Sequence, residues 1–344
     1  MRLLGVGHAI PSMRVGNDDI LRELRAQSST LAGADELARI EAATVRFLET
    51  SGTEYRYVLA PGERAIDFAL QAGAAAIRDA DIDPDDIGFV IFAGVARGSL
   101  DPATANVVQA GLRLRNATCF DVSDGCASWI RAMDVAQRFV DAGSHRAGLI
   151  VNAECGLRQY ADFQIRDLRH LELRLAAFTV GEAATATVVG ADPASSWHFV
   201  FKNFPDRYDL CMLALPGWED WVLEAAKTPY VPGRFLALSR DLIPLVVRRI
   251  VEVFRSDDLL PRLEYDIILG HAASERASAA VLKRLGISHD RYFPTHTRYG
   301  NTVSAATPLA IRLAADEGRL RRGDRVLAIV GGAGISIGIA TFHY

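Results

Sequence analysis

The sequence predicts an α/β protein made of two similar halves, residues 1–190 and 191–344. Short apolar strands alternate with amphipathic helices along the chain, an order typical of parallel sheets covered by helices on both faces. One helix, turn and strand unit also occurs twice. The chain has 344 residues, 50% of them hydrophobic, which is enough for a large core and long for one compact domain.

The repeated unit consists of an apolar-faced helix, an acidic turn and a buried-type strand that ends in glycine. Its ranges are 65–80, 83–86 and 89–94 in the first half, and 242–254, 257–258 and 266–271 in the second. A unit that recurs in the same order indicates two halves of similar structure that meet near residue 190.

The most informative point of the first half is the junction at Cys126. Residues 117–122 read as a mostly apolar strand, Ser123-Asp124-Gly125 is a helix-start signal, and an amphipathic helix continues to Gly143. A thiol in the first turn of a helix faces unpaired backbone N–H groups, which can lower its pKa and make it a nucleophile. A free cysteine is also often a small buried hydrophobe, so both interpretations stand for Cys126 alone.

The second half supplies three segments that could assist a nucleophilic cysteine. His271 follows a buried-type strand, at the edge of the sheet where ligands bind in α/β proteins. Asn301 follows a glycine turn, and its carboxamide can donate hydrogen bonds without carrying charge. Residues 331–334, Gly-Gly-Ala-Gly, form a bare backbone that a ligand can approach closely. A core histidine, a turn asparagine and a packing loop are the structural alternatives.

With these motifs, nearly the whole chain resembles the ketosynthase III (β-ketoacyl-acyl carrier protein synthase III-like) family of the thiolase superfamily. The motifs that carry the resemblance are Phe120-Asp121-Val122 with Cys126-Ala127, Gly270-His271-x-Ala273, Gly300-Asn301-Thr302 with Ser304-Ala305-Ala306, Gly332-Ala333-Gly334, and the early Gly5-x-Gly7 and Ser51-Gly52-Thr53-Glu54-Tyr55-Arg56. The resemblance implies a five-layered αβαβα fold built from two duplicated halves, with the active site between them.

The resemblance also implies roles. Cys126 corresponds to the acyl-accepting nucleophile, and His271 with Asn301 to the pair that stabilises the enolate formed from a malonyl thioester. The backbone N–H groups of Cys126 and Gly334 would form the oxyanion hole. Arg276 matches an arginine at the phosphate end of pantetheine, with a solvated helix charge as its alternative. Residues 157–176 resemble an insertion that caps the acyl pocket, with a plain surface helix as the alternative.

The sequence departs from the housekeeping members of this family. It has His271-Ala272-Ala273-Ser274 where they carry His-Gln-Ala-Asn, Ser123-Asp124-Gly125 where they carry small apolar residues, and Gly181-Glu182-Ala183-Ala184 in place of Gly-Asp-Gly-Ala. These changes favour specialised biosynthesis of polyketide or fatty-acid-derived products. Residues 332–338 lack the second cysteine of degradative thiolases, which argues against that subclass.

The leading interpretation is a condensing enzyme that uses acyl-CoA or acyl carrier protein thioesters and needs no metal or redox cofactor. One alternative is an acyltransferase that passes the Cys126-bound group to a hydroxyl or amine, and another is a silent partner subunit of a second ketosynthase. The resemblance implies a homodimer whose sheets join across a two-fold axis at the strand around Phe120.

Composition and charge limit the partners, the cellular compartment and the kinds of site that the sequence predicts. A formal net charge of −4 and the lack of a basic, aromatic-rich stripe argue against nucleic acid as a partner. The four cysteines have no metal-ligand spacing and fit a reducing cytoplasm. Apolar runs are too short for a membrane span. His289, His296 and His343 are interpreted as surface or loop residues, and no metal site is predicted.

Overall fold

The computed structural model describes residues 1–223, 229–271 and 274–344. Ala272 and Ala273, which the motif after His271 includes, therefore lie outside the described residues. The strands of the first half are β1 (Arg2–Ala9), β2 (Met13–Gly16), β3 (Tyr55–Val58), β4 (Ile87–Ala93), β5 (Thr118–Val122), β6 (Ala147–Glu154) and β7 (Ala183–Gly190). Its helices are α1 (Asn17–Ser28), α2 (Ala34–Ser51), α3 (Ala65–Ala80), α4 (Thr104–Leu112), α5 (Ser128–Asp141) and α6 (Leu168–Arg174).

The second half is built from the same kinds of element. Its strands are β8 (His198–Asn203), β9 (Cys211–Leu213), β10 (Phe235–Ala237), β11 (Ile267–Gly270), β12 (Arg325–Gly332) and β13 (Ser336–His343). Its helices are α7 (Ser239–Ser256), α8 (Glu275–Leu285), α9 (His296–Tyr299) and α10 (Ala306–Asp316). The predicted repeat is confirmed, because α3 precedes β4 as α7 precedes β11. Among the described residues, no helix combines the length and apolarity that a bilayer span requires.

Two main sheets organise the molecule. The first has the strand order β1-β7-β6-β4-β5 and the second β11-β12-β13-β8. Sheet membership changes between Gly190 and His198, where the sequence places the boundary between the halves. The expectation of parallel sheets is wrong: β4 runs parallel to β5 and β6, but β7 is antiparallel to β6, and β13 to β12. Only three residues separate β12 from β13, and so short a connection forces an antiparallel pair.

Helices and sheets alternate in five layers, as predicted. Helix α3 packs its alanine face, including Ala72 and Ala76, on one face of the first sheet. Helices α7 and α8 cover the outer face of the second sheet. Between the sheets lie α5 and α10, whose residues share one core with both, for example Met133 and Ile311 with Val330. The αβαβα order places the start of α5, and with it Cys126, in the middle of the protein.

Candidate active site

Cys126 lies in a single 3-10 turn, Gly125–Ala127, between β5 and α5. Gly125 has φ of +52°, a left-handed conformation that glycine adopts without strain. The Ser128 hydroxyl donates to the Gly125 carbonyl at 2.7 Å and accepts from the Asp124 N–H at 2.8 Å, which fixes the turn. Arg131 on the next turn pairs with Asp124 at 3.0 Å. The predicted junction between strand and helix is therefore a turn that these hydrogen bonds and this ion pair stabilise, and the Cys126 thiol lies on it.

The charge state of Cys126 differs from the expectation. Burial raises the pKa of its thiol far above the usual range, and the nearby Cys211 and Glu154 raise it further. The cost of burying a thiolate thus outweighs the favourable field of the helix start. In the resting protein the thiol is protonated, so the nucleophile needs a base.

His271 follows the last residue of β11, and its backbone N–H donates to the Ile329 carbonyl at 3.2 Å. Burial lowers the pKa of its imidazole to about 4, and the neighbouring His296 lowers it further in the same direction. The ring is therefore neutral at physiological pH. A neutral imidazole can accept a proton on one nitrogen and donate a hydrogen bond from the other.

His296 contradicts its interpretation as a surface or loop residue, because only 2% of its surface is exposed. Its Nε2 lies 3.1 Å from the Ser51 carbonyl oxygen and 3.6 Å from the Glu275 carboxylate. The four-residue helix α9 is too short to show a periodic pattern, so the burial of His296 could not be predicted from the sequence. His289 and His343 are exposed, as predicted.

Hydrogen bonds of both its backbone and its side chain hold Asn301 in place. Its N–H donates to the Thr179 carbonyl at 2.8 Å, and its own carbonyl accepts from the Gly181 N–H at 3.1 Å. Its side-chain Oδ1 accepts from the Val303 N–H at 2.9 Å. Because that bond engages the oxygen, the Nδ2 group is the end left to serve as a donor. The preceding Gly300 has φ of +68°, and a Cβ there would lie 2.5 Å from the Thr179 oxygen.

A buried polar cluster beneath Asn301 was not predicted. Ser304, three residues after Asn301, contacts the Glu154 carboxyl at 2.5 Å and the Asn152 Nδ2 at 3.1 Å. Glu154 also accepts from the backbone N–H groups of Val95 and Ala96. Burial raises the pKa of Glu154, although these hydrogen bonds oppose the change. The sequence signal was present: Asn152 and Glu154 interrupt the otherwise apolar β6.

The glycine-rich segment approaches Cys126 most closely at Gly332. A Cβ at Gly332 would lie 3.1 Å from the Cys126 Cβ and 3.4 Å from its Sγ. Ala333 lines the same cavity as Cys126, whereas Gly334 is not among its lining residues. The oxyanion role of Gly334 stays a prediction, and the Ala333 N–H is a second candidate that the sequence analysis missed.

One cavity brings the predicted catalytic side chains together. The empty space in it, including a part that is open to solvent, is about 1080 Å³, and Cys126, His271 and Asn301 all line it. Cys211, which the sequence analysis treated only as a reduced cysteine, also lines it. Ala176 belongs to the wall, so the predicted capping segment 157–176 does reach the cavity.

Arg276 lies outside this group. It is exposed in the first turn of α8, directly before the cavity-lining residues Ala277 and Ser278. Within the described chain no ion pair involves it. Over those same residues, no group of three or more His, Cys, Asp or Glu side chains could hold a metal ion.

Comparison with known proteins gives two family matches. Residues 120–204 match the family 3-oxoacyl-(acyl-carrier-protein) synthase III, and residues 260–344 match its C-terminal family. A beta-ketoacyl-(acyl-carrier-protein) synthase III of Symbiobacterium thermophilum is 28% identical over 348 residues, covering 99% of this chain and 97% of that protein.

Two solved structures share the fold. The 3-oxoacyl-(acyl-carrier-protein) synthase III of Aquifex aeolicus VF5 superimposes with a TM-score of 0.79 at 23% identity, covering 100% of this chain and 99% of that one. Cerulenin-bound OleA of Xanthomonas campestris has a TM-score of 0.85 at 22% identity, covering 99% and 96%.

Proposed function

Since the chain belongs to the ketosynthase III-like family of condensing enzymes in the thiolase superfamily, we propose that it catalyses decarboxylative Claisen condensation. Cys126 accepts an acyl group from a coenzyme A or acyl carrier protein thioester, and a malonyl thioester then extends it. The observation that carries this proposal is the convergence of Cys126, His271 and Asn301 on one cavity. The product is a β-ketoacyl thioester for polyketide or fatty-acid-derived biosynthesis.

In the first step the Cys126 sulfur attacks the carbonyl carbon of the acyl thioester. Because burial keeps the thiol protonated, a base must take its proton, and neutral His271 is suited to that task. The proton passes on to the departing thiol, so the products are acylated Cys126 and free CoA or carrier thiol. Backbone N–H groups of Cys126 and of Gly334 or Ala333 stabilise the tetrahedral oxyanion.

In the second step the malonyl thioester loses its carboxylate as carbon dioxide, and the bonding electrons become an enolate. The enolate oxygen accepts hydrogen bonds from Asn301 Nδ2 and the His271 ring N–H. The enolate carbon attacks the acyl carbonyl on Cys126, the bond between that carbonyl and the Cys126 sulfur breaks, and the released thiolate takes up a proton from solvent, which restores the thiol. The Val303 contact to Asn301 Oδ1 supports this role, because it leaves Nδ2 as the available donor. The proposed acylation and condensation steps need no metal or redox cofactor.

The test separates the two steps. Cys126→Ala should abolish acylation in intact-protein mass spectrometry. Asn301→Ala should acylate normally but release labelled carbon dioxide from malonyl thioester about 10²–10³ times more slowly, the usual effect of losing one such donor. Asn116→Ala, an exposed asparagine remote from the cavity, is the matched control and should behave as wild type.

Other outcomes point to other functions. If wild type acylates Cys126, passes the group to a hydroxyl or amine and never releases carbon dioxide, the protein is the acyltransferase. If no thioester acylates Cys126, the proposed function fails and the silent-subunit interpretation takes its place.

A further inference from the structure

The cavity continues past Cys126 to the outer face of the second sheet. Side chains of β12 alternate, so Gly332 faces Cys126 while Gly331 faces α7. A Cβ at Gly331 would lie 2.5 Å from the Val246 Cγ1. Both glycines line the cavity. The end of β12 therefore carries no side chain at the two positions where one would fill the passage from Cys126 to α7.

Beyond this passage the cavity runs between α7 and α8. The apolar α7 residues that line it recur at helical spacing and so share one face of the helix. They are Leu242, Ile243, Val246, Val247 and Ile250. We call the part of the cavity lined by Val246, Val247, Ile250, Ile268, Val281 and Leu282 the deep arm. Its walls come from α7, α8 and β11, and they belong to the core of the second half.

The deep arm is apolar in its chemistry. The polar side-chain atoms beside it in the described chain are Ser278 Oγ and Tyr292 Oη, which lie 3.3 Å from each other and so share a hydrogen bond. A buried water needs two to four polar partners, and an apolar void stays dry and accepts apolar ligands. An empty void also forfeits dispersion contacts, which a hydrocarbon chain would restore.

The length of the arm fits an aliphatic chain. From Val246 to Ile250 the wall of the deep arm follows α7 for about 6 Å, at 1.5 Å per residue. Carbon–carbon bonds of about 1.52 Å advance an extended chain by about 1.3 Å each, so the arm accepts about five or six carbons. We infer that the deep arm binds the end of the hydrocarbon tail of a medium- or long-chain acyl group, whose first carbons lie in the passage beside Gly331 and Gly332. This inference rests on the proposed function, because the acyl group enters by attachment to Cys126.

Narrowing the arm tests this inference. Val246→Phe and Val281→Phe each place a ring in the arm, while Leu245→Phe on the same helix enlarges a side chain that does not line it. Wild type and Leu245→Phe should acylate Cys126 faster with dodecanoyl-CoA than with acetyl-CoA. In the two arm variants the ratio of dodecanoyl to acetyl acylation should fall at least tenfold, because each methylene left unburied costs about fourfold. Thermal unfolding of every variant checks that it is folded.

A binding measurement keeps the inference separate from the proposed function. Cys126→Ser should bind dodecanoate in calorimetry, and adding Val281→Phe should weaken that binding at least tenfold. If the arm variants keep the wild-type chain-length ratio and dodecanoate binding is unchanged, the arm is not the acyl site, even if Cys126 is acylated. If no thioester acylates Cys126 but dodecanoate binding depends on Val281, the deep arm is a site for hydrocarbon chains and the proposed function is wrong.

Discussion

At the scale of single residues, the charge state of His271 decides whether it can act as the base in the proposed mechanism, and it also links stability to pH. Its pKa of about 4 in the folded protein lies below the ordinary value of 6.5. Between these two pH values the unfolded chain binds more protons than the native protein. The contribution of His271 to stability is therefore complete above pH 6.5, falls as the pH drops toward 4, and changes no further below 4.

The first prediction follows for activity. Acylation of Cys126 should persist well below pH 6.5, and its acid limb should lie near pH 4 to 5, because His271 stays neutral there. His296→Gln keeps a donor for the Ser51 carbonyl but removes the neighbouring imidazole, so it should move this limb upward. The acylation rate against pH, measured over times short enough to avoid unfolding, checks both statements. An acid limb at 6.5 in wild type would contradict the role of His271 as a neutral base.

A second residue-scale prediction concerns Arg276. This guanidinium is exposed beside the cavity-lining turn of α8, so we expect it to contact the phosphate end of a pantetheine substrate. Arg276→Ala should raise KM for CoA thioesters about three- to tenfold with little change in kcat, as expected for a charged contact near solvent. Arg284→Ala, near the other end of α8, is the control. Equal KM values for wild type and Arg276→Ala would assign Arg276 to the solvated surface.

At the scale of elements, the segment that carries Asn301 is positioned by strands of the first half. Ser304 bonds to Glu154 on β6 and to the carbonyl of Ala93 on β4. These contacts join the two halves directly behind the site. A removed hydroxyl leaves buried polar groups without a partner, which costs about 1–3 kcal/mol.

Ser304→Ala should accordingly lower the free energy of unfolding by about 1–3 kcal/mol. It should also slow carbon dioxide release more than acylation, because Asn301 serves only the later step. Glu154→Gln keeps the size of the side chain and an oxygen that accepts hydrogen bonds, and it replaces a carboxyl whose charged form burial disfavours. We expect it to resemble wild type in both measurements. An equal loss of both steps in Ser304→Ala would reduce Ser304 to a purely structural residue.

The elements also show what the sequence could and could not predict. Cys126, His271 and Asn301 were predictable because each follows a strand or glycine turn whose local pattern is strong. Cys211 and His296 were not, since β9 and α9 are too short to show periodicity. The prediction of parallel sheets was wrong for a related reason. The antiparallel direction of β7 depends on its partners β1 and β6, which lie far away in sequence.

At the scale of the whole molecule, β5 is the open side of the first sheet. It pairs with β4 on one side and ends the strand order, so within the described part of the chain no strand pairs with its other edge. Exposed edges are usually covered, because they otherwise pair with other chains. A second copy related by a two-fold axis would cover this edge by antiparallel pairing of β5 with its equivalent.

We therefore predict a homodimer in solution, with the two first sheets continuous through β5. Light scattering should give twice the chain mass of 37.4 kDa. Thr118→Lys places a charge on the exposed start of β5, where it should weaken dimerisation at least tenfold by ultracentrifugation, since lysine blocks edge pairing. Thr50→Lys, an exposed position at the end of α2, should leave the dimer intact. A particle of single-chain mass at working concentration would refute the dimer, and a dimer equally stable in both variants would place the interface away from β5.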